Sequence, residues 1–161
     1  MGAMPTTWED SKAQEFAGRL RAAELGENPT VVTRLPSGLV VLGDTQFLPG
    51  YCVLIAVPLV ESLGALPPEA QQAFLFDMAR LGGVIGQVTG CARVNYGIYG
   101  NSDPYLHAHV WARYAWEPDE RRAHPAWLYP TDVRNAREVQ FDPQQHGELR
   151  QRLAAGLMGR E

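Results

Sequence analysis

The chain has 161 residues, 45% of them hydrophobic, with 14 basic against 18 acidic side chains and a formal net charge of -4. That length sustains a core burying roughly two thirds of the unfolded surface without disulfide or metal staples. The acidic balance excludes a general affinity for nucleic-acid polymers or anionic membranes, so any phosphate site must be local.

The longest apolar run, Tyr51 to Val60, contains a proline and falls well short of the roughly 20 residues of a membrane helix. No basic segment followed by an apolar one marks a secretory signal. Met1-Gly2-Ala3 reads as a cloning remnant ahead of a natural start at Met4, although the first six residues formally match a myristoylation pattern. Cys52 and Cys91 have no C-x-x-C spacing, which fits reduced thiols in a cytoplasmic protein. Lys12 is the chain's only lysine, a bias matching the abundance of Ala, Gly and Pro rather than a function.

In chain order, Thr7 is placed to cap a first helix over residues 8–25, with Ala13, Phe16, Ala17 and Leu20 on one stripe, a solvated charged face, and Gly26 as its stop. Thr30–Leu35 and Leu39–Gly43 flank Pro36-Ser37-Gly38 and read as a β-hairpin. Asp44–Gly50 is a loop. Tyr51–Val57, apolar throughout, reads as a strand buried on both faces. Leu66-Pro67-Pro68-Glu69 opens a long helix whose Phe74, Met78, Leu81, Ile85 and Val88 recur every three or four residues until Gly90. Ala92–Tyr99 alternates as a strand with Arg93, Asn95, Gly97 and Tyr99 on one side. Beyond Tyr114 the chain is rich in Pro, Trp, Arg and His, an ordered but irregular tail with Trp116 and Trp127 as anchors and His124 and His146 at the surface. A final helix covers about Gln144–Met158. The expected architecture is α+β: one domain over residues 1–161, with an N-terminal helix (8–25), a core of a mostly antiparallel five-stranded sheet and its helices (30–114), and a C-terminal extension (115–161).

The segment from Gly100 to Arg113 carries the chemistry. Its side chains alternate with the period of a strand, so Tyr105, His107, His109, Trp111 and Arg113 share one face and Leu106, Ala108, Val110 and Ala112 the other. The apolar face suits a core. The other presents two imidazoles that titrate near neutral pH, after a Gly100-Asn101-Ser102 turn whose backbone N–H groups can meet an anion. By itself a His-x-His pair on a strand is a weak signal, as compatible with structural histidines as with catalytic ones.

The order of elements, the Leu48-Pro49-Gly50-Tyr51 entry to the third strand, Asn95, Gly100-Asn101-Ser102 and His107-Ala108-His109 together resemble the histidine-triad superfamily of nucleotide hydrolases and transferases. The resemblance spans about Val31 to Arg113 and is nearest the diadenosine-polyphosphate hydrolase branch. Registering the family's arginine on Arg113 sets its three histidines on Tyr105, His107 and His109; a register using Trp111 misplaces both Arg113 and the turn. The resemblance implies that His107 attacks the α-phosphorus to give a nucleotidyl-histidine. It further implies that His109 donates to the phosphate oxygens, that Asn95, Gly100, Asn101 and Ser102 orient the phosphates, and that Asp44 contacts the ribose. Tyr51 and Tyr105 stand where family members carry histidine and would remain substrate contacts.

On this reading the substrate is a dinucleoside polyphosphate or a nucleoside phosphoramidate. The chemistry needs no cofactor, Mg2+ would accompany the substrate, and the protein is a homodimer paired through the Ala92–Tyr99 strand and second helix. Two phenols cannot form a protonatable relay near pH 7, which leaves a catalytically weakened nucleotide-binding or scaffold protein as one alternative. A zinc site on His107 and His109 is another, lacking an evident third ligand.

Overall fold

The computed structural model describes residues 8–159, so the Thr7 cap and the remnant ahead of Met4 lie outside the described residues. Helix α1 (Trp8–Glu24) breaks at Gly26, which takes φ +72. The hairpin strands β1 (Val31–Leu35) and β2 (Gly38–Leu42) turn on Pro36 and Ser37, pairing Leu35 with Gly38. Strand β3 (Cys52–Ala56) follows the loop, and α2 (Pro68–Thr89) starts on its proline pair and stops at left-handed Gly90. Strands β4 (Arg93–Gly97) and β5 (His107–Arg113) complete a five-stranded sheet in the order β1-β2-β3-β5-β4, antiparallel throughout. Two one-turn helices, α3 (Asp119–Arg122) and α4 (Thr131–Arg134), precede α5 (Pro143–Met158). The α+β class and the five-stranded antiparallel sheet are those expected from the sequence.

Strand alternation divides the residues between two cores. On the back, Val40, Leu42, Cys52, Leu54, Ala108 and Val110 pack with Phe74, Leu81 and Ile85 of α2 and Leu153 and Leu157 of α5, with Met78 and Val88 at its margin. Buried Asp77 of α2 accepts from the Ser37 backbone N–H at 2.9 Å and hydroxyl at 2.7 Å, so a helix carboxylate fixes the hairpin turn. On the front, Phe47, Leu48, Tyr51, Trp111, Ala126 and Tyr129 form a second cluster under the loop and the tail.

Three expectations need correction. The tail is not anchored by Trp116, which is exposed and stacks on Tyr114, nor by Trp127, which is 40% exposed; Ala126 and Tyr129 are its buried contacts. His146 is buried, not superficial: its Nδ1 accepts from the Asp142 backbone N–H at 2.9 Å, at the start of α5. The charged face of α1 is not merely solvated, because Arg19 pairs with Asp44 at 2.8 Å across the front of the sheet.

Arg113 at the end of β5 decides how the tail returns. Buried among the front-face residues, its guanidinium donates to the Glu117 carboxylate (2.9–3.2 Å), to Asn95 Oδ1 (2.9 Å) and to the carbonyls of Arg121 (2.9 Å) and His124 (2.8 Å). Glu117 also accepts from the Tyr114 backbone N–H and the Tyr129 hydroxyl at 2.7 Å each. Burial works against this carboxylate, yet these donors outweigh it and hold its pKa below the ordinary value. Glu117→Ala leaves a buried cation without its partner. We expect a loss of about 3–5 kcal/mol in urea unfolding; a loss under about 1 kcal/mol would show that the node does not anchor the tail.

Candidate functional site

Strand period places His107 and His109 side by side on the front face, ring centroids 4.9 Å apart and edge to face. Their outer partners differ. His107 Nδ1 lies 2.6 Å from the Tyr105 carbonyl, which can only accept, so Nδ1 carries the proton and the neutral ring keeps its lone pair on Nε2. His109 Nδ1 lies 2.6 Å from the Tyr51 hydroxyl. Burial, with the nearby His107, lowers the His109 pKa to about 4, while burial and the charge of Asp44 push the Tyr51 phenol above its ordinary value. At neutral pH a phenol therefore donates to a neutral imidazole, leaving His109 Nε2 as an N–H donor. One ring offers a lone pair and its neighbour a proton.

Tyr51 is locked in this role by stacking on Trp111, centroids 3.4 Å apart and planes 3° from parallel. Gly43 permits it: a Cβ there would sit 2.1 Å from the Tyr51 ring. The buried Trp111 indole N–H has no partner among the described residues.

The histidines line a pocket of about 290 Å³. Val41, Val53 and Ile55 give it an apolar floor, Asp44 stands at its rim, and Lys12, Phe16 and Arg19 of α1 roof it. The imidazole face is consequently covered, a feature that strand alternation alone does not show. His107 is only 5% exposed, with the Phe16 ring 5.8 Å from it and 5.5 Å from Tyr105.

The other sequence candidates separate. Asp44, Tyr51, His107 and His109 converge on the pocket. Tyr105 contributes its carbonyl to His107 and its ring to Phe16. Asn95 is held by Arg113 and lines a different groove, alongside Trp111. Gly100 takes φ +68, and Asn101 and Ser102 are exposed in the following turn without lining the pocket.

Asp103, Lys12, Phe16 and Arg19 went unrecognised as site residues. Asp103 Oδ2 lies 4.0 Å from His107 Nε2, yet Ser-Asp-Pro reads as an ordinary turn, and the α1 residues carry no local signal of the pocket they cover. No group of three His, Cys, Asp or Glu side chains among the described residues is placed to hold a metal. Cys52, the one cysteine near the pair in the sheet, belongs to the back core.

No family profile and no curated protein matches the chain. Solved structures do. A histidine triad protein from Marinobacter aquaeolei VT8 superposes with TM-score 0.67 at 22% identity, covering 87% of this chain and 94% of its own. One from Sinorhizobium meliloti 1021 gives 0.63 at 19%, covering 87% and 93%. A zinc-bound histidine triad family protein from Mycobacterium smegmatis gives 0.58 at 18%, covering 88% and 96%. The fold of this chain is that of the histidine-triad proteins.

The lowered His109 pKa has a consequence for stability. Between its ordinary value of 6.5 and about 4, the unfolded chain binds a proton at this residue and the folded chain does not. Stability is therefore full above pH 6.5 and falls as the pH drops toward 4, by up to about 3 kcal/mol. In His109→Gln, urea midpoints at about pH 7 and about pH 5 should lie closer together than in the wild type. An unchanged gap would remove His109 as the source.

Proposed function

We propose that the chain is a nucleotide hydrolase or nucleotidyl transferase that opens a phosphoanhydride at the α-phosphate of a dinucleoside polyphosphate, with His107 as nucleophile. The observation that carries this reading is the complementary pair: His107 with Nε2 unprotonated because a carbonyl holds its Nδ1, and His109 with Nε2 protonated because a phenol holds its own. A nucleophile beside an oxyanion donor is what attack on phosphorus requires.

His107 Nε2 forms the P–N bond as the P–O bond to the leaving phosphate breaks, and the bond pair departs on that oxygen. The ring then carries positive charge, which Asp103 at 4.0 Å is placed to offset. Water or another acceptor attacks phosphorus, the P–N bond breaks, and neutral His107 is restored as the acceptor's proton is released. His109 meets the negative charge on the phosphoryl oxygens in both steps.

The two phenols bear on the substrate. A polyphosphate leaves as a stable anion and needs no proton, whereas an amine does, and Tyr51 is held firmly as neutral phenol. The polyphosphate is thereby favoured over the phosphoramidate, with Mg2+ travelling as part of the substrate. The nucleoside would lie on Val41, Val53 and Ile55 with its ribose toward Asp44. Buried His107 favours a second reading, a nucleotide-binding protein without turnover, because only 5% of the residue is exposed, with the Phe16 ring of α1 beside it.

His107→Ala should abolish single-turnover hydrolysis of diadenosine triphosphate while nucleotide affinity stays within about tenfold. Wild type should yield an acid-labile nucleotidyl adduct by mass spectrometry. Comparable activity in the variant would refute the covalent route, and a wild type that binds without turnover would favour the second reading.

The same reading includes a homodimer. Among the described residues the outer edge of β4 is unpaired, and Phe76 of α2, 66% exposed, is with Leu75 and Tyr96 among the exposed large apolar side chains. Light scattering at micromolar concentration should give twice the chain mass; a monomer would count against this seam.

A further inference from the structure

Farther along β5 from the histidines, the same sheet face carries a second concavity of about 1070 Å³, which the proposed chemistry at His107 does not use. Asn95, Trp111 and Arg113 floor it and the segment around 119–127 walls it. Arg113 is fully engaged within the protein. Arg93 and Arg122 are both exposed at this groove: Arg122 is held by its neighbour Asp119 and donates to the Ala115 carbonyl at 3.2 Å, while Arg93 makes no ion pair among the described residues.

The wall also carries two aromatic rings, Tyr99 and Trp127, packed edge to face with centroids 4.5 Å apart and both about two-fifths exposed. An edge-to-face pair covers a face of one ring only, and both rings keep about two-fifths of their surface in solvent. Half-exposed aromatic rings beside exposed arginines are what a nucleobase and its phosphate bind, the base by stacking and the anion by charge.

Position links this groove to the reaction. The Tyr99 ring touches Trp127 on one side and lies 5.8 Å from the His109 ring on the other, so the groove begins where the histidine pocket ends. Gly97 makes room for that ring, since a Cβ there would fall 2.1 Å from the Tyr99 hydroxyl. The attacked nucleotide occupies the pocket beneath α1, and in-line displacement drives the leaving group away from His107.

We infer that the groove between β4 and the 119–127 segment is the leaving-group subsite and takes a second nucleotide, its base against Trp127 and Tyr99 and its phosphate toward Arg93 and Arg122. The inference rests on the hydrolase reading. Tyr96 of β4 lines this groove and also belongs to the proposed seam, so the groove adjoins that seam and the test separates the two.

The test compares diadenosine triphosphate with adenosine 5'-phosphorofluoridate, which presents the same nucleotide with a leaving group too small for the groove. Trp127→Ala and Arg93→Ala should each lower the ratio of the two kcat/KM values about tenfold. In calorimetry, wild type should bind a methylene-bridged, uncleavable diadenosine triphosphate more tightly than AMP, and the variants should lose about tenfold of that advantage. An unaltered ratio in both variants overturns the inference. So does a change from dimer to monomer with the ratio preserved, which would make the groove an interface between copies. Should wild type cleave neither compound, the hydrolase reading fails by itself; the groove then stands if calorimetry shows the advantage and its loss, and falls if it does not.

Discussion

A buried guanidinium organises the front of this protein. Arg113 cannot shed its charge, and its place on the strand puts it on the covered face, so every donor must find an acceptor within the protein. Glu117, Asn95 and the carbonyls of Arg121 and His124 supply them, and they come from a strand and from a segment with little regular structure of its own. The tail's path follows from this demand. Tyr129 then closes on Phe47 and Glu117, the front cluster forms, and Trp111 acquires the cover under which Tyr51 can stack.

The site is tuned by neutral groups rather than by charge pairs. Two imidazoles 4.9 Å apart would repel each other if both were protonated, and burial beside His107 keeps His109 neutral. What remains is a division of labour by tautomer: a backbone carbonyl assigns one, a phenol the other. A phenol at position 51 is therefore no simple loss of a histidine. It donates to His109 Nδ1 without titrating at neutral pH, so the donor on Nε2 persists across the neutral range.

Much of the fold was legible because its signals are local. The Pro-Ser turn between branched runs, the proline pair opening α2, its heptad-like stripe and the alternation of β5 each act within a few residues, and each element stands where its pattern put it. The histidine face and its partition between Tyr105 and Trp111 followed from strand period alone. What the sequence concealed was long range. Phe16 over His107, Arg19 on Asp44 and Asp103 beside Nε2 depend on how distant segments cross the sheet, and a weakly amphipathic helix gives no notice of its partner. His146 was misplaced for the same reason: a polar side chain in a polar context reads as surface unless its buried acceptor or donor is known.

The covering of the histidine face need not conflict with catalysis, because the cover is weakly held. No described side chain of α1 is fully buried, and its ion pairs, Lys12 with Glu15 and Arg19 with Glu15 and Asp44, are exposed ones of the sort worth about 0–1 kcal/mol each. The sheet beneath it is fixed by the back core and by the Arg113 node. Displacing α1 thus disturbs little besides the Phe16 contacts, and a bound nucleotide would return apolar area to the same helix face. The rigid part of the molecule holds the geometry of the imidazoles, while the loosely packed part covers them, and on the hydrolase reading it would govern access to them.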